Sequence, residues 1–282
     1  MKKPQWITIC IALVLAALLF FYGRTVPHRK TILPQTNVDK EEISAITADT
    51  ILLYAKKQLS PDQVMRINAL ENSISRGDVK EQQLTIYHQL AHFWADSAAV
   101  FEPYAWYEAE ASRLENSEKS LTFAARLFLD NLQNDELVER RKWKALQAKN
   151  LFERSLKINP GNDSAKVGLG ACYLFGNISS TPMEGILKIR EVVEKDSTNI
   201  YAQMMLARGS LISGQYDKAI SRLQVVNRLE TDNAEAIIML ADLYERTGDI
   251  ANAVTWYQKS LPFIKQPDAR TAIEKRIAEL KK

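Results

Sequence analysis

Cysteine is nearly absent: two in 282 residues. Cys10 lies in an apolar N-terminal run, and Cys172 stands between Ala171 and Tyr173 on a stretch of helical spacing. Such a pair excludes a disulfide framework, and Cys172 reads as a small buried side chain. Histidine is almost as scarce, at three. His88 and His92 are four apart, which is metal-ligand spacing on one helix face, but Gln89 stands where a zinc protease motif needs its glutamate base. His28 lies far upstream, and a third ligand is not evident. A metal-dependent enzyme is therefore a distant alternative to two partly exposed histidines lining the inner face. Nucleophile elbow, phosphate loop and paired zinc cysteines are all missing, so neither catalysis nor a cofactor is expected.

Excess charge is missing as well. The formal net charge is +3, and residues 1–30 hold Lys2, Lys3, Arg24, Arg29 and Lys30 without an acid. The rest of the chain carries 32 basic against 34 acidic residues. No basic footprint remains, so no nucleic-acid partner is expected. No segment alternates with period two for long enough to make a strand. The chain reads as all-α, with about thirteen helices.

What is present begins with Trp6 to Tyr22, 17 residues without a charge. That is the short end for a spanning helix. No small-x-small site follows it, which disfavours a cleaved signal peptide. Ile9 before Cys10 disfavours a lipoprotein signal. Trp6 and Tyr22 sit at the two ends, where aromatic belts form. Residues 1–22 thus read as a tail and an uncleaved single anchor, and 23–38, with Pro27 and Pro34, as an extended linker reaching roughly 50 Å. Cations flank the run on both sides, so the charge rule does not orient it. Its short tail favours a bacterial inner-membrane protein whose domain faces the periplasm.

Helix signals follow. Asp39 with Glu42 forms a capping box; Ser60-Pro61 with Gln63 opens a helix; Arg76-Gly77 stops it; Asp78 with Glu81 and Thr181-Pro182 with Glu184 open others. Residues 39–115 read as an N-terminal helical region. Phe93, Trp94, Phe101, Tyr104, Trp106 and Tyr107 make it aromatic-rich, either as hairpin core or as a contact surface. Arg140, Arg141, Lys142 and Lys144 form a basic run on a helix expected over 135–158. Glu136 and Glu139 precede it at pairing distance, so a solvated, self-paired face is the default. Lipid headgroups or an acidic partner are the alternative.

The strongest pattern is a period of 34. Over 200–267, Leu206 falls on Leu240, Ala207 on Ala241, Gly214 on Gly248, Ala219 on Ala253 and Ile220 on Val254. Each copy is a helix, a glycine stop and a second helix. The small residues Ala91, Ala125, Gly170, Ala207 and Ala241 recur at spacings of 34, 45, 37 and 34. With Ala219 and Ala253 they mark places where two helices pass closely. This pattern resembles the tetratricopeptide repeat, most fully over 163–199, 200–233 and 234–267 within a repeat region of 116–267. A degenerate unit lies upstream around Ala91, and 268–282 forms a C-terminal capping helix. The resemblance implies a helical-hairpin solenoid.

In the resembling family a concave face of the first helices holds a peptide or a helix. Matching positions here include Val167, Leu174, Phe175, Tyr201, Met204, Arg208, Leu211, Ile212, Ile238 and Asp242. The Lys and Asn set that clamps a carboxyl terminus is missing. The resemblance implies a scaffold for a protein partner, a peptide or amphipathic helix, and no chemistry. The second reading is a self-associating assembly factor whose groove is closed in a homodimer or by the chain's own helices.

Overall fold

The computed structural model describes residues 46–74, 79–133, 135–179 and 182–282. The apolar run 6–22, the linker 23–38, the Asp39/Glu42 box, Arg76-Gly77, Asp78 and Thr181 lie outside them. Among the described residues, no helix is long and apolar enough to cross a membrane.

Thirteen α-helices are described: α1 Ala48–Lys56, α2 Pro61–Ile74, α3 Lys80–His92, α4 Phe101–Glu115, α5 Glu118–Leu132, α6 Val138–Ile158, α7 Asp163–Phe175, α8 Met183–Lys195, α9 Ile200–Ile212, α10 Tyr216–Leu229, α11 Ala234–Arg246, α12 Ile250–Ser260 and α13 Pro267–Leu280. A π-helical turn, Phe93–Ser97, prolongs α3. Ser60 and Gln63 do open α2: each backbone N–H donates to the other's side chain, at 2.9 and 3.3 Å. α1, the first described helix, starts after Thr47, which forms a capping box with Thr50.

From α3 onward the helices pack as antiparallel pairs, α3/α4 through α11/α12, with α13 against α12. Each pair also packs on the next, so the core runs along the stack. The starts of four first helices repeat one device. Ser117 caps α5, and Asn162, Asn199 and Asn233 cap α7, α9 and α11. Each asparagine Oδ1 accepts from the N–H of Ala165, Ala202 or Ala236, at 2.9 to 3.0 Å. Such a cap contributes about 1 kcal/mol and sets where the helix starts. The turns of the last two hairpins need glycine for backbone reasons: Gly214 and Gly248 have φ of +70° and +81°.

Ala91, Ala125, Ala207, Ala219, Ala241 and Ala253 are all fully buried. Gly170 is buried as well, and its partner across the hairpin is Gly185 of α8. A Cβ on Gly170 would lie 2.6 Å from the Gly185 carbonyl oxygen, and one on Gly185 would lie 2.3 Å from that of Gly170. Here two backbones touch with no side chain between them. The residues that separate the Ala125 and Gly170 anchors beyond one period go into α6, whose 21 residues make it the longest described helix. At 1.5 Å per residue it spans about 32 Å.

The basic run on α6 corrects the expectation of a solvated, self-paired face. Lys144 is only 2% exposed. Its Nζ lies 2.7 Å from Glu102 of α4, 2.9 Å from Asp135 and 2.6 Å from Asn131 of α5. Arg140 donates to Asp135 at 2.5 Å. The acids that answer the run are therefore Asp135 and Glu102. A charge on the inward side of α6 would cost heavily alone, so it is matched by two carboxylates and an amide. The aromatic zone is largely core: Phe93, Trp94 and Tyr107 are buried, while Phe101, Tyr104 and Trp106 are half-buried.

Candidate functional site

The first helices α7, α9 and α11 carry the positions of the expected concave face. The structure divides them. Val167 and Met204 are buried in the core, which corrects the expectation that they line an open groove, and Phe175 is buried in the same core at 8% exposure. Gly168 on α7 admits the Phe152 ring of α6, which sits 2.2 Å from where a Cβ would be. Ala171, also on α7, is small and fully buried, and a side chain of α5 reaches one of α9. The guanidinium of Arg126 on α5 lies 5.0 Å from the centre of the Tyr201 ring on α9. That stacking is a cation–π contact. Arg208 continues the row by donating to Glu235 of α11 through Nε at 3.0 Å and through Nη2. Burial and the nearby carboxylate of Asp130 push the Tyr201 hydroxyl well above its ordinary pKa, against Arg126, which draws it down. That hydroxyl has no hydrogen-bond partner among the described residues.

Asp242 is exposed but engaged: its carboxylate accepts from the Tyr257 hydroxyl at 2.5 Å, and Glu245 accepts from the same hydroxyl at 2.9 Å. Leu211 and Ile238 are half-buried. The middle of the face is thus made of side chains that pair with one another: Arg126 on Tyr201, Arg208 with Glu235 and Asp242 with Tyr257.

At one end it stays open. Leu174 and Phe175 at the end of α7 and Ile212 at the end of α9 line one cavity of about 400 Å³. Tyr173 and Pro182 complete its apolar wall, and Gln133, Arg141, Asn177 and Ser179 its polar wall. Ile212 is 71% exposed, a large apolar side chain left uncovered beside a cavity. Arg141 is held in place by the Asp135 carbonyl oxygen, which accepts from Nε at 3.1 Å and Nη2 at 2.6 Å. A second cavity of about 320 Å³ lies where α1, α4 and α6 approach, with Ile51, Tyr54, Val100, Pro103 and Leu137 in its wall.

The histidines show ordinary pairing. His88 Nδ1 is 3.5 Å from Glu108, and His92 Nδ1 is 3.4 Å from Asp96. Among the described residues, no three His, Cys, Asp or Glu side chains are grouped to hold a metal. Cys172 is fully buried, and that burial pushes its thiol pKa up, away from a reactive thiolate.

Residues 210–275 match the family model described as tetratricopeptide repeat. A tetratricopeptide repeat protein from Parabacteroides merdae has a similar structure, with a TM-score of 0.53 and 14% identity over 83% of this chain and 86% of that one. The chain carries tetratricopeptide repeats. A thermophilic repeat protein from Thermus thermophilus gives a TM-score of 0.50 at 16% identity, over 72% of this chain and 98% of that one. Lipopolysaccharide assembly protein B of Haemophilus influenzae is 26% identical over 144 residues. That match is 49% of this chain but 35% of the relative, so the chain spans about a third of that protein's length. As an all-α tetratricopeptide-type solenoid, the domain has an architecture suited to protein–protein interaction.

Within these repeats the periodic anchors were legible, and two things were missed. The Asn caps three residues before Ala165, Ala202 and Ala236 recur with the repeat, and that recurrence was a readable signal. The Gly170–Gly185 contact was half visible: Gly185 follows Gly170 by 15, whereas Ala219 and Ala253 each follow their anchor by 12. The three-residue insertion displaced it from the period.

Proposed function

We propose that the chain is a membrane-anchored scaffold that holds a segment of a protein partner at the open end of its concave face and performs no chemistry. The observation that carries this reading is the cavity where Leu174, Phe175 and Ile212 converge, with Ile212 left exposed. An uncovered apolar side chain beside a concavity is what a partner's apolar side chain covers. The polar side chains in the middle of the face are already paired with one another, which supports a short contact, one anchor residue deep, in place of a helix lying along the whole groove. The Haemophilus relative is named for an assembly role, and a scaffold in assembly of an envelope complex is the role we carry over to this chain.

The reading is tested by exchanging Ile212 for glutamate in the full chain and repeating an affinity capture from solubilised membranes. Helix content should be unchanged, because Ile212 is exposed. Partner binding should weaken by about thirtyfold or more, since a carboxylate would be forced against an apolar contact. Met204→Glu, by contrast, should unfold the α9 region. Retention of every partner by a folded Ile212→Glu protein would move the binding surface elsewhere. Loss of a dimer, seen by light scattering, would show that the cavity serves self-association instead.

The membrane part of the proposal rests on residues 6–22 and on the two lysines before them. A reporter that is active only outside the cytoplasm, fused after Lys282, should be active in bacterial cells. Activity of a cytoplasm-only reporter at the same site is the opposite outcome and rejects the periplasmic orientation.

A further inference from the structure

We infer that the open cavity takes a partner segment in which a large apolar side chain stands beside an acidic one, the acid being read by Arg141. The inference rests on the scaffold reading above and adds the chemistry of the partner.

The argument starts from how Arg141 is held. Two of its N–H groups go to the Asp135 carbonyl oxygen, which fixes the guanidinium without cancelling its charge. The Asp135 carboxylate faces other donors: Arg140 at 2.5 Å, Lys144 at 2.9 Å and the Leu137 N–H at 3.1 Å. Among the described residues no carboxylate lies within 4 Å of Arg141, although many other cations of the domain have one. Glu184, which reaches the Tyr173 hydroxyl, is paired with Lys188 at 3.8 Å. A cation that is positioned, uncompensated and part of a cavity wall is poised for an incoming anion, and the planar guanidinium fork suits a carboxylate.

Pro182, just before α8, also lines the cavity. Gln133, Asn177 and Ser179 share the polar wall with Arg141, and the apolar wall is made by Tyr173, Leu174, Phe175, Pro182 and Ile212. A cavity of about 400 Å³ has room for one large apolar side chain and the group next to it. Charge complementarity on one wall and apolar area on the other select a peptide with both features in adjacent positions.

The test pans a random-peptide phage library against the full chain in detergent micelles. Selected peptides should share Phe, Leu, Ile or Met next to Asp or Glu. A labelled synthetic copy of the strongest peptide is then measured by fluorescence anisotropy. Arg141→Gln should weaken it about tenfold or more, as should replacing the peptide's acid by its amide, and the two changes together should add little. Arg141→Lys should keep part of the affinity. The amide peptide against the unaltered protein gives the same reading even if an Arg141 variant fails to fold. Peptides selected without an acid, or an amide peptide that binds equally well, overturn the inference. If such peptides still lose binding on Ile212→Glu, the scaffold reading survives and only the acidic preference falls. If Ile212→Glu has no effect either, both fall.

Discussion

Gly185→Leu will melt the repeat domain about 6–12 °C below the parent. A side chain there begins 2.3 Å from the Gly170 carbonyl oxygen and 2.9 Å from the Tyr173 Cβ. The first obstacle is backbone, so no rotamer change relieves it, and α7 must move off α8. Overpacking of this kind costs about 3 kcal/mol or more, and each kcal/mol lowers Tm by about 2–4 °C in a domain of this size. Gly214→Ala is the control. Nothing lies within 4 Å of a Cβ there, so only its φ of +70° opposes the change, for about 1 kcal/mol. Because solenoid stability is mostly nearest-neighbour, hydrogen exchange should rise first in α7, α8 and the helices next to them. Parent-like melting of Gly185→Leu would mean that the two backbones do not meet.

Lys144→Met should cost about 3 kcal/mol at neutral pH, with a distinctive dependence on acid. Lys144 stands between Glu102 and Asp135 and is itself shielded from water. Removing one partner of a buried ionic cluster leaves the others uncompensated, which typically costs about 3–5 kcal/mol. Burial works against the charge on Asp135, but hydrogen bonds from Arg140 and Lys144 outweigh it and hold its carboxyl at about 2. A depressed folded pKa means stabilisation that is complete above the ordinary carboxylate value, near 4, and is lost as pH falls through about 2. Without Lys144 the folded pKa moves back up and less stability remains to lose. The gap between parent and variant in urea midpoint should therefore be widest above pH 4 and shrink by pH 2. A gap independent of pH would assign the loss to packing alone.

The candidate site was only partly legible. Leu174, Phe175 and Ile212 were marked by their place in the repeat, and they do share a cavity. Val167 and Met204 carried the same mark and are core, and Phe175 is buried with them although it borders the cavity. Nothing in their own identity distinguishes them from Ile212, since all are apolar and all fall on the first helices. The difference lies in what packs on them: Val167 and Met204 join the core cluster that runs along the stack, while Ile212 ends α9 and stays 71% exposed. Arg141 was visible only as one of four adjacent cations. Its distinction from Lys144 is a matter of helix phase: three residues further along α6, Lys144 is buried against α4 and α5, while Arg141 lines the cavity.

The helical class, the hairpin unit and its period were determined by the sequence itself. These properties depend on neighbours along the chain: the 3.6-residue apolar spacing, the glycines of positive φ at 214 and 248, and small residues returning with each unit. Tertiary structure alone decided which apolar positions stay open, which cations find an acid and where two backbones touch. Those outcomes depend on the distance between helices, and that distance is set by the summed bulk of side chains from several units. One added Cβ at Gly170 or Gly185 changes it, while the periodic pattern around them would read the same.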